Sequence, residues 1–247
     1  MIQGDCLDLL KNIPDKAIDM ILCDLPYGTT QNKWDSIIPL DELWREYNRV
    51  IKDNGAIVLF GAQPFTSKLV MSNLKQFRYS LVWEKNKASG FLNANRMPLR
   101  IHEDILVFYK KLPTYNPQKT TGHKPANKYT KHSGDGDNYG KTKTGLSGGG
   151  NTDRHPTTVL KFPVINNDDK EKFHSTQKPV GLYEWLIKTY SNEGDVVLDN
   201  CSGSGTLGIA CLNTNRSFIC MEKDDVYYEK SVARIQAHQE RLKEKAV

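Results

Sequence analysis

Val196-Val197-Leu198-Asp199-Asn200-Cys201-Ser202-Gly203-Ser204-Gly205-Thr206 decides the fold, because an apolar run breaks there into an acid and then into glycines. Residues 196–198 are apolar without polar alternation, as expected of a central strand covered on both faces, and Asp199 falls at its carboxyl end. Gly203 and Gly205 allow a tight bend and close approach of a ligand, while a helix opening at Thr206 offers unpaired N–H groups to polar or anionic atoms. Further on, residues 217–221 read as a second strand ending in Glu222, and a carboxylate at that offset, about 20 residues, suits the two hydroxyls of a ribose. A Gly-Ser-Gly turn alone is a weak signal. Strand, glycines, helix, strand and acid together imply a cofactor that carries a nucleoside.

Outward from that stretch, the same design repeats. Residues 1–5 read as a short strand ending in Asp5, and 6–13 as a helix carrying Leu7, Leu9 and Leu10. The apolar run 17–23 stops at Asp24-Leu25-Pro26-Tyr27-Gly28. Ligands of open α/β sheets bind beyond the carboxyl ends of the strands, so Asp5, Asp24, Asp199 and Glu222 are expected to face one crevice. Residues 39–53 form a helix whose stripe of Leu40, Leu43, Trp44, Tyr47 and Ile51 packs on the sheet and carries no functional role. Asn54-Gly55 closes it, strands follow at 56–60, 77–83 and 104–109, and helices at 64–74 and 182–190. A last helix, 225–245, covers the sheet without chemistry. The alternation is that of an α/β protein with a doubly wound, mostly parallel sheet.

A chain of 247 residues holds one sizeable α/β domain with an insertion. Its 34 Lys and Arg against 29 Asp and Glu give a net charge of +5, mild enough that distribution matters more than the total. From Lys110 the periodic pattern dissolves until about Lys172, and a loop that long in a compact domain is usually functional. Lysines 110, 111, 119, 124, 128, 131, 141 and 143 stand there against Asp135 and Asp137, with Tyr115, Tyr129 and Tyr139 among them. That mixture suits phosphates and bases, although a solvated linker reads similarly. Cys6, Cys23, Cys201, Cys211 and Cys220 share no redox or metal-ligand spacing and read as reduced core thiols. Six histidines likewise share no ligand spacing, so no metal is expected. With no leader and no bilayer-length apolar run, a soluble cytoplasmic protein is expected.

Chemistry is most legible at Asp24-Leu25-Pro26-Tyr27. An exocyclic amine on a planar base is a poor nucleophile until acceptors hold both its N–H groups and localise the lone pair. Asp24 supplies one acceptor; the carbonyl of Leu25, held outward because Pro26 restricts the residue before it to extended backbone, supplies the second. Tyr27 offers a ring for the base to stack on, worth about 1–3 kcal/mol. With a sulfonium methyl over the glycine turn, the reaction is an in-line displacement accelerated mainly by positioning. An ordinary turn after a strand would contain the same residue types.

These residues resemble the amino-methylating DNA methyltransferases that use S-adenosylmethionine, in particular the beta-ordered group whose catalytic tetrapeptide precedes the glycine motif. Asp24-Leu25-Pro26-Tyr27 is similar to Asp-Pro-Pro-Tyr, Gly4-Asp5-Cys6 to the segment contacting the cofactor adenine, and residues 199–206 to Asp-Pro-Phe-x-Gly-Ser-Gly-Thr. Residues 174–179 resemble His-Pro-Thr-Gln-Lys-Pro, which points to Thr176 and Lys178 at the methionine end of the cofactor. Leu25, Ser175 and Asn200-Cys201 depart from the pattern. The resemblance implies a Rossmann-like fold with a catalytic half at 1–112, a target-recognition insertion at 113–172 and a cofactor-binding half at 173–247. It implies a cofactor site of Asp5, Cys6, Asp24, Thr176, Lys178, Asp199, Asn200, Cys201, Ser202, Gly203, Ser204, Gly205, Thr206, Glu222 and Lys223. The catalytic set is Asp24, Leu25, Pro26 and Tyr27.

Duplex DNA is the implied substrate, with the target base swung out of the stack. Its phosphates would meet Lys119, Lys124, Lys128, Lys131, Lys141 and Lys143, while Arg154, Asn138, Asn86, Lys87 and Phe91 are further candidates for DNA contact. Members of that family often form homodimers and work in restriction-modification. Asp at position 24 leans toward adenine N6. The alternatives are cytosine N4, a catalytically silent DNA-binding subunit, and a methyltransferase for RNA or protein amides; a nicotinamide enzyme would leave Asp24 to Tyr27 without a task. His102-Glu103 reads as structural, although the resemblance sets it near the rim of the site.

Overall fold

The structure is a computed structural model; it describes the chain apart from residues 31, 33, 34, 132–134, 137–139, 142, 143, 167, 170, 171, 175, 246 and 247, and for 135, 136, 140 and 141 the backbone alone. Contacts divide the chain into two units, Met1–Asn116 with Thr158–Val247, and Pro117–Thr157.

The larger unit is built on eight strands: β1 (Ile2–Gln3), β2 (Ile18–Cys23), β3 (Ile51–Gly61), β4 (Phe77–Ser89), β5 (Arg100–Phe108), β10 (Val159–Lys161), β11 (Val196–Asp199) and β12 (Ser217–Glu222). Their order is β1-β12-β11-β2-β3-β5-β4-β10. Every neighbouring pair is parallel except β3 with β5 and β5 with β4, so β5 alone runs against the rest. Six helices, α1 (Cys6–Leu10), α2 (Leu40–Val50), α3 (Phe65–Ser72), α4 (Val180–Tyr190), α5 (Thr206–Asn213) and α6 (Asp225–Lys245), accompany the sheet.

The central strands show why their sequences lack polar alternation. In β2, Ile21 and Cys23 join one apolar cluster while Met20 and Leu22 join another; in β3, Ile57 and Leu59 part from Val58 and Phe60 in the same way. The first cluster takes Leu43 and Tyr47 of α2 and Phe65 of α3, and the second takes Leu182 and Leu186 of α4 and Leu207 of α5. Two buried faces therefore need apolar residues at successive positions. Burying each such side chain contributes about 1.5–3 kcal/mol.

Three differences from the sequence reading have physical causes. The helix expected over 39–53 ends at Val50, because Ile51 already pairs with Ile18, and the register shift that follows carries Asn54-Gly55 inside a strand. β4 and β5 run well past residues 83 and ahead of 104, respectively, as a two-stranded extension whose tip turns at Phe91–Asn93. Val159–Lys161, within a stretch expected to be irregular, pairs in parallel with Val82, Trp83 and Glu84, and Asn116 donates its N–H to the Thr189 carbonyl at 2.8 Å. Residues 113–116 and 158–172 accordingly pack with the larger unit, and the second unit begins and ends inside the expected 113–172.

That second unit, Pro117–Thr157, is held mainly by backbone. β6 (Tyr129–Thr130) pairs with β9 (Ser147–Gly148) and β7 (Asp135–Gly136) with β8 (Gly140–Lys141), each over two residues, and Thr120 bridges Arg154. No described helix is long and apolar enough to cross a membrane.

Candidate active site

The carboxyl ends of β1, β2, β11 and β12 open on one cleft of about 610 Å³, inside the 300–1,000 Å³ range of small-molecule pockets. Asp5, Asp24, Asn200, Gly203 and Glu222 all line it, together with His174, Thr176 and Lys178 from the segment before α4, whereas Asp199 and Gly205, expected to face it as well, do not, Asp199 being buried at the end of its strand. Residues from both ends of the chain thus meet because β2 pairs with β11 and β1 with β12.

On one side lies the glycine bend. Gly203 and Gly205 have φ of 52° and 71°, the left-handed region that other residues rarely adopt. Glu222 pins the bend: its carboxylate accepts from Gly203 N–H at 2.7 Å and from the N–H groups of Lys223 and Asp224 at 2.9 Å each. Arg234 of α6 donates to the Ser204 carbonyl at 2.9 Å and to the Thr206 hydroxyl at 3.3 Å, so the covering helix braces the bend. Asp5 caps α1 through Leu7 N–H at 3.0 Å and pairs with Lys223 at 3.0 Å; mainly that ammonium holds its carboxyl below the usual range.

Asp199 accepts the Cys201 N–H at 3.0 Å, and burial pushes its carboxyl up to about 7. Asn200 and Cys201, the departures from Pro-Phe, have partners of their own. The Tyr47 hydroxyl, buried in the stripe read as mere packing, donates to Asn200 Oδ1. Cys201 Sγ accepts from the Asn200 side-chain amide at 3.5 Å; the neighbouring Cys201 thiol lowers the Cys6 pKa despite its burial, and burial pushes the Cys23 thiol up to about 12. All five thiols are free.

On the other side lies Asp24. Its Oδ1 accepts from the Tyr27 hydroxyl at 2.6 Å and its Oδ2 from Lys178 Nζ. Tyr27 stacks one ring face on Phe65, with centroids 5.2 Å apart and planes 22° from parallel. Lys178 precedes Pro179 as Leu25 precedes Pro26, and a following proline disfavours helical backbone at both. Only 6% of the Lys178 side chain is exposed, and its ammonium also lies 3.2 Å from Glu103 Oε2. Burial works against that charge, but the two carboxylates outweigh it and hold the pKa at about 12. Burial raises the Asp24 carboxyl, against the pull of Lys178 and with the help of Glu103. His174, whose Nδ1 lies 3.1 Å from the Thr176 hydroxyl and whose ring packs 4.3 Å from that of Tyr227, is pushed down to about 4 by burial and then by Lys178, so it is neutral at pH 7.

Sequence reasoning passed over Asp35 and Lys85, and it read Glu103 as structural, set near the rim of the site by resemblance alone. Asp35, 8% exposed, accepts the N–H groups of Gly28, Thr29 and Thr30 at 2.7–2.9 Å and so fixes the loop after Tyr27. Glu103 reaches the site from antiparallel β5 and is shared between Lys178 and Lys85. An acid seven residues beyond a glycine, or one on a strand that runs the other way, follows no pattern. Lys85 was equally silent.

The lysines expected to meet DNA belong to the second unit. Lys119 pairs with Asp153 at 2.7 Å; Lys124 and Lys128 are exposed and Lys131 half-buried in the second unit. Arg154 spends its guanidinium on the carbonyls of Lys124, Asn151 and Asp153. Lys143, Asn138 and the side chain of Lys141 lie outside the described residues. In the larger unit, Asn86 accepts Val164 N–H, Lys87 donates to Asn166, and Phe91 is exposed.

Comparison with known proteins identifies the family and the fold. A family profile for DNA methylases, of the N6 and N4 type, matches residues 18–233. Type II methyltransferase M.HpaI of Haemophilus parainfluenzae is 30% identical over 95% of this chain and 73% of its own length. DNA adenine methyltransferase YhdJ of Escherichia coli K12 is 27% identical over 95% and 82%. Among solved structures, M1.HpyAVI in complex with S-adenosylmethionine superposes with a TM-score of 0.63 at 26% identity, covering 95% of this chain and all of the other. The cytosine-N4-specific PvuII DNA methyltransferase shares the fold, with a TM-score of 0.68 at 15% identity over 97% and 90% of the two chains.

Proposed function

The chain belongs to the N6/N4 DNA methylase family, and on that premise we propose that it methylates the N6 amine of adenine in duplex DNA, with S-adenosylmethionine as cofactor. The observation that carries the reading is the cleft itself: an acid at the end of β2 opens into the same space as the glycine bend and Glu222.

The residues present suit the cofactor, which when bound supplies an electrophilic methyl carbon. Glu222 and Asp5 are acceptors for hydroxyl and amino groups, and the bend admits a ligand against backbone. The cation of Lys178 is already paired with two carboxylates and His174 is neutral, so no uncompensated positive charge opposes a sulfonium. Asp24 and the Leu25 carbonyl would each accept one N–H of the amine, localising its lone pair toward the electrophile. The free face of Tyr27, opposite Phe65, would stack the base.

A base inside a duplex cannot enter such a cleft, so the target nucleotide is flipped out. Pro117–Thr157, with exposed Lys124 and Lys128, would hold the DNA and carry its recognition. Adenine is favoured by the acid at position 24 and by the adenine activity named for YhdJ; cytosine N4 is the second reading, favoured by the fold shared with the PvuII enzyme. Incubation with labelled cofactor and unmethylated duplex DNA, followed by digestion to nucleosides, is expected to place the label in N6-methyladenine. Label in N4-methylcytosine alone would replace the first reading with the second, and label only with RNA or peptide would overturn both.

A further inference from the structure

Asp24 cannot receive an amine as it stands without competition, since its two oxygens already accept from Tyr27 and Lys178. The competing ammonium has somewhere else to go. Glu103 Oε1 is bonded to Lys85, whereas Oε2 is buried and, among the described residues, has no hydrogen-bond partner, although Lys178 Nζ stands 3.2 Å away. A buried carboxylate oxygen left without a hydrogen bond is unfavourable, and an ammonium has three donors that rotation can redirect.

We propose that Glu103 is a positioning residue that draws Lys178 off Asp24 when the substrate amine arrives. This rests on the role given to Asp24 above. Lys178 turns an N–H toward Glu103 Oε2, and the released Asp24 Oδ2 accepts from the amine. Formation of the carbon–nitrogen bond, with the carbon–sulfur electron pair leaving on sulfur, puts a positive charge on the amine nitrogen. Its proton passes to Asp24, which becomes neutral. At that moment Lys178 would be a buried cation without a counter-charge, were it not for Glu103. Against burial, Lys178 first and then Lys85 hold the Glu103 carboxyl below its usual range, and Lys85, only 13% exposed and packed 4.9 Å from the Trp83 ring centroid, keeps it in place. The groups of the array sum to zero charge before the reaction, and Glu103 keeps Lys178 paired after it.

The titratable groups facing Asp24 are Tyr27 beside it, Lys178, Glu103 on β5, Tyr183 on α4 and Asp199 on β11. Two substitutions among the charges therefore move Asp24 in opposite senses. Glu103→Gln removes a negative neighbour and leaves Lys178 wholly to Asp24, so the Asp24 carboxyl should titrate at lower pH. Lys85→Gln strengthens the hold of Glu103 on Lys178, so Asp24 should titrate at higher pH. The measurement is carboxyl-carbon NMR of aspartate-labelled protein without cofactor, with the Asp24 signal assigned by its loss in Asp24→Asn. In turnover, Glu103→Gln should lower kcat by about tenfold or more while cofactor Kd stays unchanged.

An unmoved Asp24 titration in Glu103→Gln, or a shift of the same sign in both variants, overturns the proposal. So does a loss confined to cofactor Kd. If Glu103→Gln fails to fold, the upward shift in Lys85→Gln carries the test alone, and its absence overturns the proposal equally. Asp24→Ala separates the two levels: turnover surviving in that variant sinks the functional reading, whereas an inactive Asp24→Ala beside an unmoved titration sinks the role of Glu103 only.

Discussion

The cleft and the Pro117–Thr157 unit are built on opposite principles. Around the cleft, side chains hold one another: Glu222 the bend, Asp35 the loop after Tyr27, Arg234 the start of α5, all against two apolar clusters. In the smaller unit, two-residue ladders and carbonyl contacts do that work, Tyr129 and Leu146 are exposed, and none of its described residues belongs to either cluster. Pre-set geometry is what in-line transfer to a weak nucleophile requires. A surface that follows a phosphate backbone needs charge more than rigidity, and side chains can vary there without loss of a core. The contrast predicts that substitutions in the cleft act on turnover or folding, and substitutions in the smaller unit on DNA affinity alone.

The largest effect is expected from Asp24→Ala. Removing the acceptor for the amine should lower kcat by about 10²–10⁴-fold, while cofactor affinity changes far less. Single-turnover kinetics alongside cofactor titration by calorimetry checks both halves. Lys178 keeps Glu103 as its counter-charge in this variant, so far-UV circular dichroism should remain that of the parent.

Asp199→Asn should separate stability from binding. The folded carboxyl, at about 7, lies above its ordinary 3.8, so its contribution to stability is fully present below 3.8 and is lost as pH rises through 7. At pH 8 the parent carries a buried charge that the variant lacks. Denaturant unfolding at pH 8 should show the variant more stable by about 2–4 kcal/mol, with the difference vanishing near pH 4. Cofactor binding should weaken in the same protein. A variant less stable at pH 8 would show that Asp199 is compensated in the folded chain.

Asp35→Ala comes next. Three loop N–H groups lose their acceptor, and unfolding free energy should fall by about 1–3 kcal/mol because water can replace part of the bonding. Since the loop carries Tyr27, kcat should fall with it while cofactor Kd holds. Equal losses in kcat and Kd would mean that the loop serves the bend as well.

The same contrast explains what could be read in the chain. Residues 196–206 and 18–24 announce strands because burial on two faces leaves an unmistakable apolar run, and the acids and glycines that end them are fixed by strand geometry. Tyr47, Asp35 and Arg234 were invisible as site residues, and Glu103 was set near the rim by resemblance alone, because each looks ordinary where it stands: a stripe position, a loop acid, a charge on a charged helix, a strand acid. Their roles come from what the fold sets opposite them. Val159–Lys161 was missed for a related reason, since three residues are too few to show a period, and pairing with β4 alone makes them a strand. In the smaller unit the ladders are two residues long, below anything a pattern can signal.

Within that unit the smallest effects also discriminate best. Lys124 and Lys128 are exposed, whereas Lys119 is bound to Asp153 at 2.7 Å. If exposed lysines neutralise phosphates, each of Lys124→Ala and Lys128→Ala should reduce the slope of log affinity against log salt by about 0.9 and weaken DNA binding by a similar factor for any sequence. Lys119→Ala should change that slope less, because its charge is already offset. At saturating DNA all three should retain the parent kcat. Fluorescence anisotropy over a salt series, with matched specific and non-specific duplexes, reads these quantities directly. An unchanged slope for Lys124 and Lys128 would move the phosphate contacts to other parts of the chain, and a fall in kcat at saturation would erase the division between a rigid chemical site and a charged unit that only holds the substrate.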